Sequence, residues 1–305
     1  MEERSKNVLT HLEDYDTIRL HHLKAAATHP GRLKPMIVIG EKINGTRKQV
    51  ALAIQERNSA FIADLARRQF EEGAKYLDVN AGTLPSREPE DMAWLVGVVQ
   101  DAVPEAVVCL DSANHRALRA GIEKAVRVPM LNSLSGEKFR IDGVLPLACE
   151  FQTELIVLAL DDKGIPKTSE GRLDIVRRLL EMTRSGGLPD EKLYIDPLVM
   201  AISTGTENGN VTLETCRKIL EEFPKVHLTC GLSNISFGMP LRSILNQAFT
   251  VLLVQAGMDS AIINPEEREL RGVMLAAETL LGKDRHCLNF NRAFRAGKIG
   301  PKTAF

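Results

Sequence analysis

The sequence predicts an α/β protein of the (β/α)8 TIM-barrel class, one domain preceded by an N-terminal extension. Three observations lead there. From residue 36 onward, eight short apolar runs alternate with longer amphipathic segments. The runs are rich in Val, Ile and Leu with little polar alternation, as expected of strands covered on both faces. Several of them end in Asp or Asn just before a turn. A barrel of parallel strands gathers its strand ends on one face, where barrel enzymes keep their chemistry.

The expected strands are 36–40, 75–80, 106–111, 129–133, 154–160, 192–197, 227–232 and 259–264. Each is short, apolar and β-prone, and each is followed by a turn signal. Helical patterns lie near 58–73, 89–103, 114–126, 142–152, 169–186, 212–223, 241–257 and 266–282. Ser112 and Asn114 offer capping side chains to the third of these helices. Gly73 and Gly257 end two others with a residue suited to the left-handed cap position. Eight βα units at this spacing favour a closed barrel over an open doubly wound sheet. No G-x-G-x-x-G follows a strand, and no G-x-x-x-x-G-K-[ST] occurs, so dinucleotide and P-loop readings fall away. The expected organisation is an extension over 1–35, a barrel over 36–290 and a tail over 291–305.

Composition narrows the function classes. Of 305 residues, 44% are hydrophobic and 26% charged, and 39 Lys and Arg against 40 Asp and Glu leave a net charge of -1. Nothing in this balance points to nucleic acid or an anionic membrane. No apolar run reaches the roughly 18 residues of a membrane span, and the first residues lack a signal-peptide pattern, so a cytoplasmic location is expected. The five cysteines are widely spaced and form no Cys-x-x-Cys pair. They read as buried thiols, without a zinc site or a disulfide framework. The extension contains His21, His22 and His29; its segment 8–27 fits a helix or two, and the adjacent His21 and His22 read as a solvated helix face.

The polar strand ends carry the chemistry. Asp111 ends Val-Val-Cys-Leu-Asp, Asn132 follows Pro-Met-Leu, Asp196 follows Leu-Tyr-Ile, and Asn234 lies in Gly-Leu-Ser-Asn. Asp78 and Asn80 are equally polar at the second strand end. Singly, each has the alternative reading of a turn former or helix cap, the better one for Asp111 alone; their convergence on adjacent strand ends favours a site. A carboxylate at Asp196 can accept two parallel bonds from an amidine-like edge, such as the ring N–H and amino group of a pterin or guanine. Asp111 can take a further ring donor, and Asn132 can read a mixed edge. No Ser-His-Asp set, Schiff-base lysine or metal-ligand cluster stands at the strand ends, and His115 and His227 are isolated. The set reads as built to bind and orient a ligand, with weak proton delivery, rather than for covalent catalysis, a profile that methyl transfer to a strong external nucleophile fits.

At these residues the sequence resembles the methyltetrahydrofolate:corrinoid protein methyltransferase family, pterin-binding methyltransferases that include the methyltransferase component of corrinoid-dependent O-demethylases. The matching stretches are Ile-Gly-Glu41-Lys-Ile-Asn44-Gly, Tyr-Leu-Asp-Val-Asn-Ala-Gly, Cys-Leu-Asp111-Ser, Leu-Asn132-Ser, Tyr-Ile-Asp196-Pro-Leu and Gly-Leu-Ser-Asn234-Ile-Ser, in order over about 36–290. The resemblance implies a (β/α)8 barrel, usually a homodimer, that binds tetrahydrofolate at the strand C-termini. It implies that Asp111, Asn132 and Asp196 hold the pterin ring. Asn234 would be the catalytic residue, hydrogen-bonding near the methyl-bearing nitrogen, and Arg242 would lie near the outer part of the folate or the corrinoid face. It implies no metal site in this chain. Cobalamin would be carried by a separate corrinoid-binding protein, since the chain is too short for a cobalamin module as well. The loop after Asn234 reads Ile-Ser-Phe-Gly-Met-Pro, closer to the pterin module of methionine synthase.

Two other readings compete. Dihydropteroate synthase shares the barrel and the pocket but needs cations for a pyrophosphate leaving group, and no Ser-x-Arg follows the last strand, which reads Ile-Ile-Asn264-Pro-Glu-Glu. A non-catalytic folate-binding protein is the other, and the presence of Asn234 argues against it.

Overall fold

A computed structural model describes residues 35–300. The expected extension and its histidines therefore lie outside the described residues, as do the last five positions. Eight strands form one sheet: β1 (Ile37–Asn44), β2 (Tyr76–Asn80), β3 (Val107–Asp111), β4 (Met130–Gly136), β5 (Glu154–Asp161), β6 (Leu193–Asp196), β7 (His227–Leu228) and β8 (Ser260–Ile263). All named pairings are parallel, in the order β7-β6-β5-β4-β3-β2-β1-β8. A parallel bridge between Gly231 and Ile262 joins the two ends and closes the barrel.

Helices cover the outside: α1 (Lys48–Gln55), α2 (Ser59–Glu71), α3 (Glu88–Ala102), α4 (His115–Lys124), α5 (Lys138–Phe151), α6 (Ser169–Ser185), α7 (Asn208–Glu222), α8 (Arg242–Gln255), α9 (Arg268–Leu280) and α10 (Leu288–Arg295). Asn114 caps α4 by accepting from the Arg116 amide, and Gly73 and Gly257 take left-handed φ angles of 89° and 99°. Those angles are inexpensive only for glycine. Helix α1 has no counterpart in the expected pattern, and α10 spans the expected boundary at residue 290. None of the described helices is long and apolar enough to cross a membrane.

Strand parity divides the core in two. Leu77, Val108, Leu110, Leu131, Leu155, Val157, Leu193 and Ile195 face the helices in the main apolar cluster. Their neighbours Tyr76, Cys109, Met130, Ile156 and Tyr194 form a separate cluster inside the barrel. Each fully buried aliphatic side chain contributes about 1.5–3 kcal/mol by leaving water. The strand N-termini are plugged by a polar group. Tyr76 and Tyr194 donate to Glu154, Tyr194 stacks on His227 at 4.5 Å, and His227 Nδ1 lies 2.7 Å from Asp259 Oδ2. His227 is therefore a structural residue at the end of the barrel opposite the polar strand ends.

One expected strand is much shorter than its pattern. Residues 227–232 read as a strand, but β7 is only His227–Leu228, and Leu232–Ser236 is a 3-10 turn. After a single bridge at Gly231 the chain leaves the sheet, and the turn that follows β7 carries Asn234. At the other side, the ends of β1 and β2 touch backbone to backbone. A Cβ on Gly45 would lie 1.9 Å from the Ala81 carbonyl oxygen, and Gly82 sits at φ 60°. Both glycines are thus required by the close approach that sets the exit of Asn80.

Candidate active site

Period two along each strand decides which polar residues point inward. Asp78 and Asn80 share the face of Tyr76, Asp111 that of Cys109, Asn132 that of Met130, and Asp196 that of Tyr194. The apolar interior of the barrel therefore gives way, one or two residues further on, to a ring of carboxylates and amides at the strand C-termini.

The ring is interlocked. Asp111 and Asn132 are direct register partners on β3 and β4. Asn132 Nδ2 donates to Asp78 Oδ1 at 3.1 Å, and Asn80 Nδ2 donates to Asp111 Oδ2 at 2.9 Å. Each amide thus spends a donor on a carboxylate and orients it. Asn80 Oδ1 is buried and has no hydrogen-bond partner, so it is an acceptor available to a ligand donor. Across the mouth, Asp196 Oδ1 accepts from the Leu198 amide at 2.7 Å, which leaves its other oxygen and a second lone pair on Oδ1 for a ligand.

Burial sets the electrostatics. Asp78 and Asp196 are 3% and 8% exposed. Burial raises the Asp78 carboxyl well above the carboxylate range, and the charge of Asp111 adds to it. Asp111 is also raised by burial, against the pull of the Asn80 bond and the Arg140 cation. Burial pushes Asp196 up to about 7, with the Leu198 amide and Arg172 pulling the other way. Carboxyl groups held near neutrality can switch from donor to acceptor when a ligand demands it.

Asn234 stands apart from this ring. It is exposed on the 3-10 turn, and its side chain makes no hydrogen bond among the described residues. Its backbone is fixed at both sides, by its own amide to the Gly231 carbonyl and by the Phe237 amide to its carbonyl. Arg242, at the start of α8, straps the same turn. Its Nη2 donates to the Ser233 carbonyl at 2.8 Å and its Nε to Ser236 Oγ at 3.1 Å. The structure thus gives Arg242 a definite task in holding the Asn234 turn.

Two more arginines brace the mouth. Arg140 Nη1 donates to the carbonyls of Ser112 and Ser133, at 2.7 and 3.2 Å, and so ties the exit of β3 to the middle of β4. Arg172 ties the exits of β5 and β6. No group of three or more His, Cys, Asp or Glu suited to a metal ion occurs among the described residues. The arrangement can clamp a flat, donor-rich heterocycle at its edge and leave the opposite side open to a second reactant.

Residues 40–264 match the model of the pterin binding enzyme family. The chain belongs to this family. Among curated members of wider resemblance, a methylcorrinoid:tetrahydrofolate methyltransferase of Eubacterium limosum is 41% identical over 274 residues, covering 88% of this chain and 100% of that one. The methionine synthase of Mycobacterium tuberculosis is 30% identical over 244 residues, 75% of this chain but only 20% of that much longer enzyme. Solved pterin-binding barrels share the fold at low identity. Dihydropteroate synthase of Xanthomonas albilineans, with 4-aminobenzoic acid, superimposes with a TM-score of 0.60 at 17% identity, over 81% of this chain and 91% of that one. The Coxiella burnetii dihydropteroate synthase in complex with pteroic acid gives 0.59 at 16%, over 81% and 94%. The family resemblance read from the strand-end motifs is borne out.

Proposed function

We propose that this pterin-binding enzyme is a methyltransferase that moves a methyl group between a corrinoid protein and tetrahydrofolate, forming or consuming 5-methyltetrahydrofolate. The observation that carries the reading is the interlocked ring of Asp78, Asn80, Asp111, Asn132 and Asp196, in a chain 41% identical to a methylcorrinoid:tetrahydrofolate methyltransferase along that relative's whole length. A pterin edge presents several N–H donors side by side, and this ring presents acceptors, one of them buried and unpartnered. Asp196 takes the paired donors, Asp111 and Asn132 take the rest of the ring, and Asp78 holds Asn132 in place. Asn234, on the turn above, meets the methyl-bearing nitrogen. Cobalamin stays on a partner protein, which approaches the open strand-end face. The location is cytoplasmic, where such a partner and folate would meet.

Ligand binding is expected to be metal-independent and pH-dependent. Tetrahydrofolate should bind with micromolar-range affinity in the presence of chelator, because the ring acceptors need no metal. Asp196 accepts paired donors only when ionised, and burial holds it at about 7 in the free protein. Affinity should therefore fall as the pH drops below about 7, and binding near pH 6 should release close to one proton. Calorimetry in buffers of different ionisation enthalpy reads both. The same shift works against the free fold. The unfolded chain ionises this group at 3.8 and the folded one near 7, so stability is lost as the pH rises through that window. Chelator-sensitive binding, or affinity unchanged between pH 5 and 8, would count against the clamp.

The active form is proposed to be a homodimer joined through barrel helices, which keeps the strand-end face free for the corrinoid protein. Light scattering at micromolar concentration should give twice the mass of 33.7 kDa, and a monomer would refute the dimer.

A further inference from the structure

Arg172 lies in the first turn of α6 and is only 1% exposed. A cation this deep requires partners. Its hydrogen-bond partners are all backbone carbonyls: Nε donates to Pro166 at 3.0 Å, and Nη1 to Pro197 at 2.8 Å and Leu198 at 2.7 Å. Pro166 follows β5, whereas Pro197 and Leu198 follow β6, so one guanidinium ties two adjacent strand exits. Thr212 of α7 adds a second donor to the Leu198 carbonyl at 3.2 Å. Leu198 has φ 66°, a conformation that leucine holds only where its surroundings over-determine it. That bend brings the Leu198 amide back onto Asp196 Oδ1.

We propose that Arg172 is a positioning residue for the reaction, fixing the bend at Leu198 and through it the aim of the Asp196 carboxylate at the pterin edge. This rests on the pterin reading of the site. The geometry is specific: two of the three clamped carbonyls belong to the residues directly after Asp196. Charge acts in the same direction. Burial is the larger influence on Asp196 and raises it, while Arg172 lowers it and so favours the ionised clamp. The other titratable groups that interact with Asp196 are Cys216 on α7 and Cys230 after β7. Burial pushes the first up to about 12 and the second well above its usual value, so both stay neutral across the binding range. Without the cation, Asp196 ionises only at higher pH.

The test is tetrahydrofolate affinity measured by calorimetry against pH for the wild type, Arg172→Gln and Arg172→Lys, each with its melting temperature. Arg172→Gln should weaken binding about tenfold at neutral pH and move the midpoint of the pH dependence upward. Arg172→Lys keeps the charge but not the three-carbonyl fork, so it should return the midpoint toward the wild type while affinity stays reduced. Both variants binding with wild-type affinity and midpoint, and differing only in melting temperature, would overturn the proposal and leave Arg172 a purely structural clamp. Should Arg172→Gln fail to fold, Arg172→Lys decides by its affinity alone. A wild-type protein that binds no tetrahydrofolate would defeat the pterin reading itself, which keeps the two failures apart.

Discussion

Asn234→Ala should slow methyl transfer by about 100-fold or more in a single turnover, in both directions, while tetrahydrofolate still binds. A tertiary ring amine leaves far more readily once protonated, so the transition state carries proton density that the resting methyl donor lacks. A side-chain amide whose bond to that nitrogen strengthens as the proton arrives lowers the barrier selectively. Removing one such preorganised contact typically costs on the order of 3 kcal/mol. The position of Asn234 fits this role better than a role in ring binding. Its side chain is not spent on any described neighbour, and its turn is held on both sides by its own backbone and from α8 by Arg242. Single-turnover rates with methylcobalamin and tetrahydrofolate, set beside the affinity of the same variant, separate the possibilities. Equal losses in rate and affinity would make Asn234 one more ring contact, and a near-normal rate would remove it from the mechanism.

Asp196→Ala should act the other way, on binding first. Its loss leaves the paired donors of the pterin edge unsatisfied in a site where the carboxyl is 8% exposed, and also frees the Leu198 amide. Truncating a charge-assisted acceptor in such a place should cost about 2–4 kcal/mol of affinity, or roughly 30- to 1,000-fold. Asp196→Asn is the instructive companion. It keeps the shape but turns one acceptor into a donor, so it should bind weakly and lose the pH dependence that titration of Asp196 gives the wild type. Unchanged affinity in a folded Asp196→Ala protein would sink the pterin-edge assignment.

The barrel is legible in the sequence because its strands are continuous apolar runs, and their order, spacing and polar ends have few other uses. The ring is legible for the same reason. Asp111 and Asp196 each end a strand at an inward position, and Asn132 is an inward residue of β4 three places into the strand, where packing alone would place an apolar residue. Asp78 and Asn80 carry the same signal on β2. Parity with Tyr76 puts them in the ring, but the strand-end residues alone do not show that Asn132 leans on Asp78 or that Asn80 serves Asp111. Those pairings depend on the register between strands, which sequence leaves open. Arg140 and Arg172 were not legible at all. Each sits at the start of a helix and looks like any solvated cation, and its partners are carbonyls in or after neighbouring strands that only the closed barrel brings together. The early end of β7 was hidden by its apolar run, which continues into the residues that enter the 3-10 turn.

Methyl transfer is tested most directly by the visible spectrum of the corrinoid. The protein is mixed without oxygen with methylcobalamin and tetrahydrofolate, and the spectrum is followed over time. Demethylation of the cobalamin is expected only when protein and tetrahydrofolate are both present, with 5-methyltetrahydrofolate formed in equal amount and the rate collapsing in Asn234→Ala. A spectrum that stays unchanged while calorimetry shows tetrahydrofolate bound to the same sample would contradict the account, and would leave a folate-binding barrel without this chemistry.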